Sequence, residues 1–471
     1  MDRGITISPT SQVGSHARVT VKLDAAGEIS HLAVEIEDLG GFERSCHGRP
    51  VEEMPNLAVS LCSGNPWSHH LASAKACDEI FGVVPPPAGI KLRELCHNIS
   101  SCGKFINDLS HAGNETILIA AEDPFIRNIP GLLRANQEIG KKVVHVRHLG
   151  ERMLQTIAGN ASHPAAAVPG GFFRSLNESD RRKLLPMASE ILEFARFTAR
   201  WVRDALIPEP VENVPSGYLG TVDEEGGFNT YDGLLRLMKP DGSYAAFPPE
   251  LYADHIAEIR GPDFSVPYHY AKSWGEPFTL DIEHPRGVYQ TNAVARLMVA
   301  DRLPTPLAQE EFEEVQHRAG KEGRASTFSH RARFIELLYH AERIVELLND
   351  PAIVDREVRA PVKPRAARGV GCIECSGGLL VHDYETDANG LLRRVKLITG
   401  TMQNNALISL TLRRIAQPMI SRGKCHRGLA GRIETALASF DPCLPCVTHG
   451  PLPIQITILD AGGSPISTCT N

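Results

Sequence analysis

Two thiol-bearing stretches near opposite ends of the chain constrain its folding most. One is Asp441-Pro442-Cys443-Leu444-Pro445-Cys446-Val447-Thr448-His449, and the other is Cys62-Ser63-Gly64-Asn65-Pro66-Trp67-Ser68-His69. Cys443 and Cys446, with His449 three residues on, form a short array of metal-ligand type. Pro442 and Pro445 stiffen it and oppose a regular helix. Alone, Cys-x-x-Cys leaves redox, zinc and iron–sulfur chemistry open. Sulfurs converging from both stretches would suit nickel, zinc or an iron–sulfur centre, all of which favour soft thiolates.

The chain has 471 residues, 42% hydrophobic and 22% charged, with a formal net charge of −7. That length supports a sizeable core and suggests about three domain-sized units. Without a basic surplus there is no case for nucleic acid, and no apolar run reaches the ~18 residues of a membrane helix. Met1-Asp2-Arg3-Gly4-Ile5-Thr6 lacks the pattern of a signal peptide, so a cytoplasmic protein is expected. Eleven cysteines, an odd number, fit thiols, ligands and core packing better than disulfides. Cys46, Cys77, Cys96, Cys102 and Cys425 are expected to be small core residues.

Alternation of Val19, Val21 and Leu23 with polar residues, and of Leu32, Val34 and Ile36 after a turn, predicts a hairpin over 18–36. Helices are expected from Ser68 to Phe81, with Gly82 as the stop, and along Leu92, Leu95, Ile99, Ile106 and Leu109. Val84-Pro85-Pro86-Pro87 links them stiffly. Ser175 and Glu178 suggest a capping box before a helix over Leu184–Ile207. Residues 210–285 read as irregular structure with short strands, and Ser329–Leu348 as an amphipathic helix. The basic stretch around Arg359–Arg368 reads as an exposed loop. Strands then flank an Asn389-Gly390 turn, Asn404–Ala416 is helical, and alternating Ile454, Ile456 and Ile458 predict a strand in the tail. His145-Val146-Arg147-His148 reads as a surface strand or loop. No Gly-x-Gly-x-x-Gly or Walker segment supports a nucleotide site.

Together the two cysteine stretches resemble the paired motifs of [NiFe]-hydrogenase large subunits. The terminal pattern Asp-Pro-Cys-x-x-Cys-x-x-His is matched in full. The resemblance makes Cys443 a terminal nickel ligand, Cys446 a ligand bridging nickel and iron, His449 part of a magnesium site, and Asp441 a supporting residue. In the N-terminal motif, Cys62 takes the terminal-ligand position and His69 that of the residue bonded to a bridging sulfur. Asn65 stands where the bridging cysteine would be, and Ser60 where an arginine would be. The likeness continues through Ser68–Ala76 and Phe81-Gly82-Val83-Val84-Pro85. Gly40-Gly41-Phe42-Glu43 resembles a segment whose glutamate, here Glu43, serves magnesium, as does the backbone carbonyl at Leu397. Gly14 aligns with a proton-shuttling glutamate. Gly371-Cys372-Ile373-Glu374-Cys375-Ser376-Gly377-Gly378 resembles a stretch whose arginine, here Gly377, lies over the metals.

The resemblance implies an α+β fold, a core of long helices with peripheral β-hairpins, as a single unit over 1–471. Residues 1–66 form a β-rich part with the first cysteine motif, and 67–365 a helical core with an irregular insert near 210–285. Residues 366–449 carry a hairpin, a helix and the metal motif, and 450–471 a C-terminal extension. It also implies a nickel–iron centre with cyanide and carbonyl ligands, magnesium, an iron–sulfur small subunit, electron-transfer subunits and a maturation endopeptidase. Zinc or iron alone is the alternative occupant. Asn65 removes a ligand and its charge, Gly14 a proton carrier, and Gly377 a fixed positive charge. Together these losses count against ordinary hydrogen turnover. Cys375, with Cys372, could compensate as a ligand, the alternative being that both are small buried residues. Two functions stay open: a hydrogenase-type oxidoreductase subunit with a remodelled metal site, or a non-catalytic assembly scaffold or structural subunit.

Overall fold

Apolar residues at helical spacing build the interior of this protein. The computed structural model describes residues 3–8, 18–23, 29–35, 39–111, 129–205, 214–260, 267–322, 327–421, 424–426, 428–441, 455–459 and 465–470. Five helices form the largest core: α1 (Pro66–Phe81), α2 (Pro87–His111), α3 (Gln137–Ala158), α4 (Glu178–Ala205) and α5 (Thr327–Asn349). Leu71, Leu92, Leu95, Ile99, Met153, Ile191 and Leu337 meet there, all 1% exposed or less. Burying such side chains contributes roughly 1.5–3 kcal/mol each. Gly82 ends α1 in the left-handed conformation at φ 62°, where Arg365 bonds the carbonyls of Glu79 and Ile80. Two members of the basic loop therefore brace the fold, since Arg359 also donates to the Pro169 carbonyl at 3.1 Å.

Strands enclose this core. β1 (Arg3–Ser8), β2 (Arg18–Leu23) and β3 (Ile29–Glu35) pair antiparallel in sequence order. Near the other end, β4 (Arg368–Cys375), β5 (Gly378–Thr386) and β6 (Leu392–Ile398) form a three-stranded meander. Ser376-Gly377 makes the tight turn between β4 and β5, with Cys375 paired to Gly378. Helix α6 (Gly400–Ala416) follows, capped by the Thr399 hydroxyl on the Met402 N–H, and then α7 (Leu429–Ser439). Residues of both helices bury Val19, Val21, Leu23, Leu32 and Val34 in a second core. β7 (Gln455–Leu459) pairs with β1 and with β8 (Pro465–Thr470), joining the two ends of the chain in one sheet. The expected strand in the tail is present. The region between α4 and α5 holds the short strands expected of it, including Gly217–Val222, Leu234–Met238 and Tyr244–Phe247.

Two local expectations are corrected. Asn177, not Ser175, caps α4, its side-chain oxygen accepting from the Asp180 N–H at 2.8 Å. His145 and His148 lie on helix α3, because Val143, Val146, Leu149, Met153 and Ile157 set a helical stripe through that segment. His145 pairs with Glu190 on α4 at 2.8 Å.

The meander is locked to α1 by two glycines. A Cβ on Gly371 would stand 2.0 Å from the Ala72 carbonyl oxygen and 2.5 Å from the Ala76 nitrogen. One on Gly369 would stand 2.3 Å from the Ala76 oxygen. Backbone thus lies on backbone, which only glycine permits. Among the described residues, no helix is long and apolar enough to cross a membrane.

Gly371→Ala is expected to destabilise the protein by about 1–3 kcal/mol through forced separation of α1 and β4. Gly103→Ala, where an added Cβ meets nothing within 4 Å, should instead be neutral or stabilising by up to about 1 kcal/mol. Denaturant unfolding of the two variants checks the contrast, and equal effects would sink the close-approach argument.

Candidate metal centre

The loop that enters α1 carries the N-terminal half of the site. Cys62 is 3% exposed, Asn65 7% and His69 1%. Asn65 occupies the N-cap position of α1, with Pro66 beginning the helix, yet its side chain makes no capping bond. An asparagine there normally caps, and forgoing that costs about 1 kcal/mol. Its amide is turned inward instead: Oδ1 accepts from the Ser376 hydroxyl at 3.3 Å, and Nδ2 lies 4.0 Å from the Cys62 sulfur. The position aligned with a bridging cysteine therefore faces the sulfur of Cys62 and the turn between β4 and β5. The Cys62 sulfur is disulfide-bonded in the structure, so it serves a metal only when reduced.

Behind this loop runs a buried polar chain. His69 Nδ1 lies 3.1 Å from His382 Nε2, His382 Nδ1 lies 2.6 Å from the Tyr384 hydroxyl, and that hydroxyl donates to Ser73 Oγ at 3.0 Å. With the phenol proton on Ser73, both imidazoles must donate from Nδ1, and His69 Nε2 is left as an acceptor. Running the protons the other way makes Nε2 a donor. That nitrogen is buried and has no partner among the described residues. Burial lowers the His69 pKa to about 4 and holds His382 well below its ordinary value, so both rings are neutral. His70 points elsewhere: it meets the Pro55 carbonyl at 2.8 Å and accepts from the Ala167 N–H at 3.0 Å.

The turn opposite is fixed from three sides. Arg296 donates twice to Glu336 at 2.7 Å, once to Glu374 at 3.0 Å and once to the Cys375 carbonyl at 2.8 Å. Glu374 also accepts from Thr221 N–H and Oγ1 at 2.9 and 3.1 Å. Burial raises the Glu374 pKa, with Arg296 opposing the rise. Asn404 holds the Gly377 carbonyl at 3.1 Å, and a Cβ on Gly400 would approach that oxygen to 2.3 Å. The expected compensation by two cysteines is not arranged here. Cys375 packs in the helical core, while Cys372 packs with Val370, Leu379 and Val381 in another cluster. Three residues apart on one strand, they point to opposite faces and do not converge on one ion. The Cys375 thiol donates to the Gly378 carbonyl at 3.1 Å, and burial lifts both thiols to about 12. Cys46, Cys77, Cys96 and Cys102 are buried free thiols.

Asp441 stands at the head of the terminal motif, with φ 44°. Burial opposes its charge, but Lys104, Arg333 and Ser376 hold its carboxyl well below the usual range. Lys104 Nζ, from α2, contacts both carboxylate oxygens at 3.0 Å. Nothing in the sequence singles out Lys104 or Ser376, because their role depends on contacts far along the chain. Glu43 and Leu397 do come together: Glu43 Oε1 accepts from the Leu397 N–H at 2.7 Å. Cys443, Cys446, His449 and Gly14 lie outside the described residues. Among the described residues no three His, Cys, Asp or Glu side chains are grouped to hold an ion. The described half nevertheless fits a thiolate-bound metal, through one buried sulfur, the orphaned His69 Nε2 and a wall of fixed charges.

A helical α+β protein with a buried cysteine and a buried histidine chain between its first long helix and its C-terminal meander is the class that fold and site define. Relatives and solved structures narrow it. In Methanocaldococcus jannaschii, a component of the F420-non-reducing hydrogenase vhu is 34% identical over 427 residues, covering 88% of this chain and 98% of that protein. A component of the F420-non-reducing hydrogenase vhc of Methanococcus voltae is 31% identical, covering 94% of each. The HoxS beta chain of the NAD-reducing hydrogenase of Cupriavidus necator is 28% identical, covering 98% of each. An NAD+-reducing [NiFe]-hydrogenase in the H2-reduced state superposes with a TM-score of 0.82 at 30% identity, covering 95% of this chain and 99% of that one. A scan of protein-family profiles finds no match. The chain belongs to the [NiFe]-hydrogenase large-subunit family.

His70 and His97 make a pH prediction. Burial lowers them to about 4 and about 3, against 6.5 for an exposed imidazole. The unfolded chain therefore binds more protons as pH falls below about 6.5. Their stabilising contribution is complete above that pH and is lost toward pH 4, by about 1.4 kcal/mol per unit for each ring. Denaturant titrations between pH 7 and 5 should show the fall, and His97→Gln should flatten it. A pH-independent stability in the parent protein would contradict this.

Proposed function

We propose that this chain is the large subunit of a [NiFe]-hydrogenase-type oxidoreductase complex whose metal site is remodelled at the bridging position. The observation that carries the reading is Asn65: buried, uncapping, and aimed at Cys62 and Ser376 rather than at solvent or the helix end. A residue left over from a lost site would have no reason to forgo its cap and turn inward.

In this reading Cys62, Cys443 and Cys446 hold nickel and iron. Glu43, Leu397 and His449 serve magnesium, and the iron carries cyanide and carbonyl ligands. When bound, the bimetallic group supplies the redox chemistry by which hydrogen is split or formed. The protein's own part is to bury the thiolates, exclude water and orient protons. His69, through His382 and Tyr384, presents either a lone pair or a proton at Nε2 without changing net charge. Hydrogen oxidation or production here would proceed without a bridging thiolate at Asn65, an arginine at Gly377 or a glutamate at Gly14. Electron-transfer subunits and an iron–sulfur small subunit complete the complex, in the cytoplasm. A maturation endopeptidase is the expected processor of 450–471.

A second reading, a scaffold for the iron–cyanide–carbonyl unit or a structural subunit, is favoured by the same Asn65, because a scaffold needs fewer thiolates. Metal analysis and infrared spectroscopy of the purified complex decide between the two. The proposed enzyme should carry nickel and show cyanide and carbonyl bands. Bands without nickel would favour the scaffold, and zinc alone or no metal would reject both metal-cofactor readings. Asn65→Cys should raise nickel content in a remodelled enzyme. No gain would show that the bridging position does not limit metal loading.

A further inference from the structure

We propose that Ser73 and Tyr384 are positioning residues that hold His69, through His382, with its proton on Nδ1. The buried Nε2 of His69 then presents a lone pair to an electron-pair acceptor, either a metal ion or an acidic proton. The proposal rests on the metal-centre reading above for what surrounds His69, and it goes further by naming which form of the ring is built in.

Two faces meet to make the arrangement. From the N-cap of α1 onward, Asn65, His69 and Ser73 recur at helical spacing and share one side of the helix. The His69 N–H bonds the Asn65 carbonyl at 3.3 Å, so one turn joins them directly. On β5, His382 and Tyr384 are two residues apart and point to the same side of the strand. His69 therefore faces His382, and Ser73 faces Tyr384, at 3.1 and 3.0 Å. All four side chains are 1% exposed or less, so bulk water does not compete for these bonds.

The direction of the protons is set at the hydroxyl end. The Tyr384 phenol donates its single proton to Ser73 Oγ. The same oxygen can then only accept from His382 Nδ1, 2.6 Å away. Burial keeps both rings neutral, and a neutral imidazole carries one N–H. His382 Nε2 is thus a lone pair that accepts from His69 Nδ1, and His69 Nε2 is a lone pair in turn. That nitrogen has no hydrogen-bond partner among the described residues, whereas each other polar atom of these four side chains has one. An unpaired acceptor in the interior costs free energy, and binding an acid recovers it.

The form of the ring matters because of position 65. A histidine bonded to a bridging sulfur has to donate an N–H to it. Residue 65 supplies an amide in this chain, and the amide oxygen already accepts from Ser376. A lone pair at Nε2 suits such a neighbour, since it offers a nitrogen ligand or a proton acceptor where an N–H would lack the thiolate of residue 65.

Nitrogen NMR of the full chain, isotope-labelled at histidine, prepared without nickel and kept reduced, reads the tautomer directly. The His69 signals are identified by their loss in His69→Gln. In the parent, Nδ1 should give a protonated-type signal and Nε2 an unprotonated one. Ser73→Ala removes the acceptor of the phenol proton, which should turn onto His382 Nδ1 and reverse both rings. Nε2 of His69 should then become protonated. Ser73→Thr keeps a hydroxyl and should keep the parent form. Zinc(II) added alone separates the two acceptors: a displaced Nε2 signal assigns the lone pair to a metal ion, and an unmoved one to an acidic proton. A protonated Nε2 in the parent, or an unchanged tautomer in Ser73→Ala, would overturn the proposal and leave the metal reading intact. If Ser73→Ala does not fold, the parent and Ser73→Thr decide, since a protonated Nε2 in either overturns it. The expected tautomer in a parent whose purified complex lacks metal would overturn the metal reading alone.

Discussion

The contact between the backbone of α1 and that of β4 governs the rest of this structure. With Gly369 and Gly371 lying against the carbonyls of Ala72 and Ala76, the helix approaches the strand more closely than any side chain would allow. That approach places His69 within reach of His382, Ser73 within reach of Tyr384, and Asn65 within reach of Ser376. Separating helix and strand by even a methyl group would pull all three contacts apart, because interiors pack too densely to absorb it locally. The two glycines therefore help assemble the site although they contribute no side chain to it.

A second constraint is electrostatic. The Arg296 guanidinium is shared between Glu336 and Glu374 and also grips the Cys375 carbonyl. A buried arrangement of this kind adds little net stability compared with apolar packing, yet breaking it is costly. Its value here is positional. It fixes the strand end that carries Ser376 and Gly377, and these in turn meet Asn65, Asp441 and Asn404. The turn between β4 and β5 is thus held by this charge network and by the contacts of Ser376 with Asn65 and Asp441.

Much of the architecture is legible from periodicity. Val19, Val21 and Leu23 announce a half-buried strand, Leu92, Leu95 and Ile99 a core-facing helix, and Gly82 a left-handed helix end. His145 and His148 mislead because their alternation mimics a strand, whereas the valine and leucine stripe around them is helical. The cap of α4 falls two residues later than expected, since Ser175 and Asn177 carry equivalent capping groups and only the backbone path chooses between them. For the candidate site, the motif residues Cys62, Asn65, His69 and Asp441 can be named from the sequence. Joint compensation by Cys372 and Cys375 fails on strand parity, which matters only once that segment is known to be extended.

The sequence by itself determined most of the helices and strands and the family that its motifs resemble. Those are properties of local spacing and residue identity. Only the tertiary structure decided which distant groups meet. Lys104 and Asp441 are separated by most of the chain, as are Asn65 and Ser376, and nothing in their local surroundings marks them as partners. Hydrogen bonds and ion pairs act over a few ångströms in space, so their partners are selected by backbone packing and not by distance along the chain.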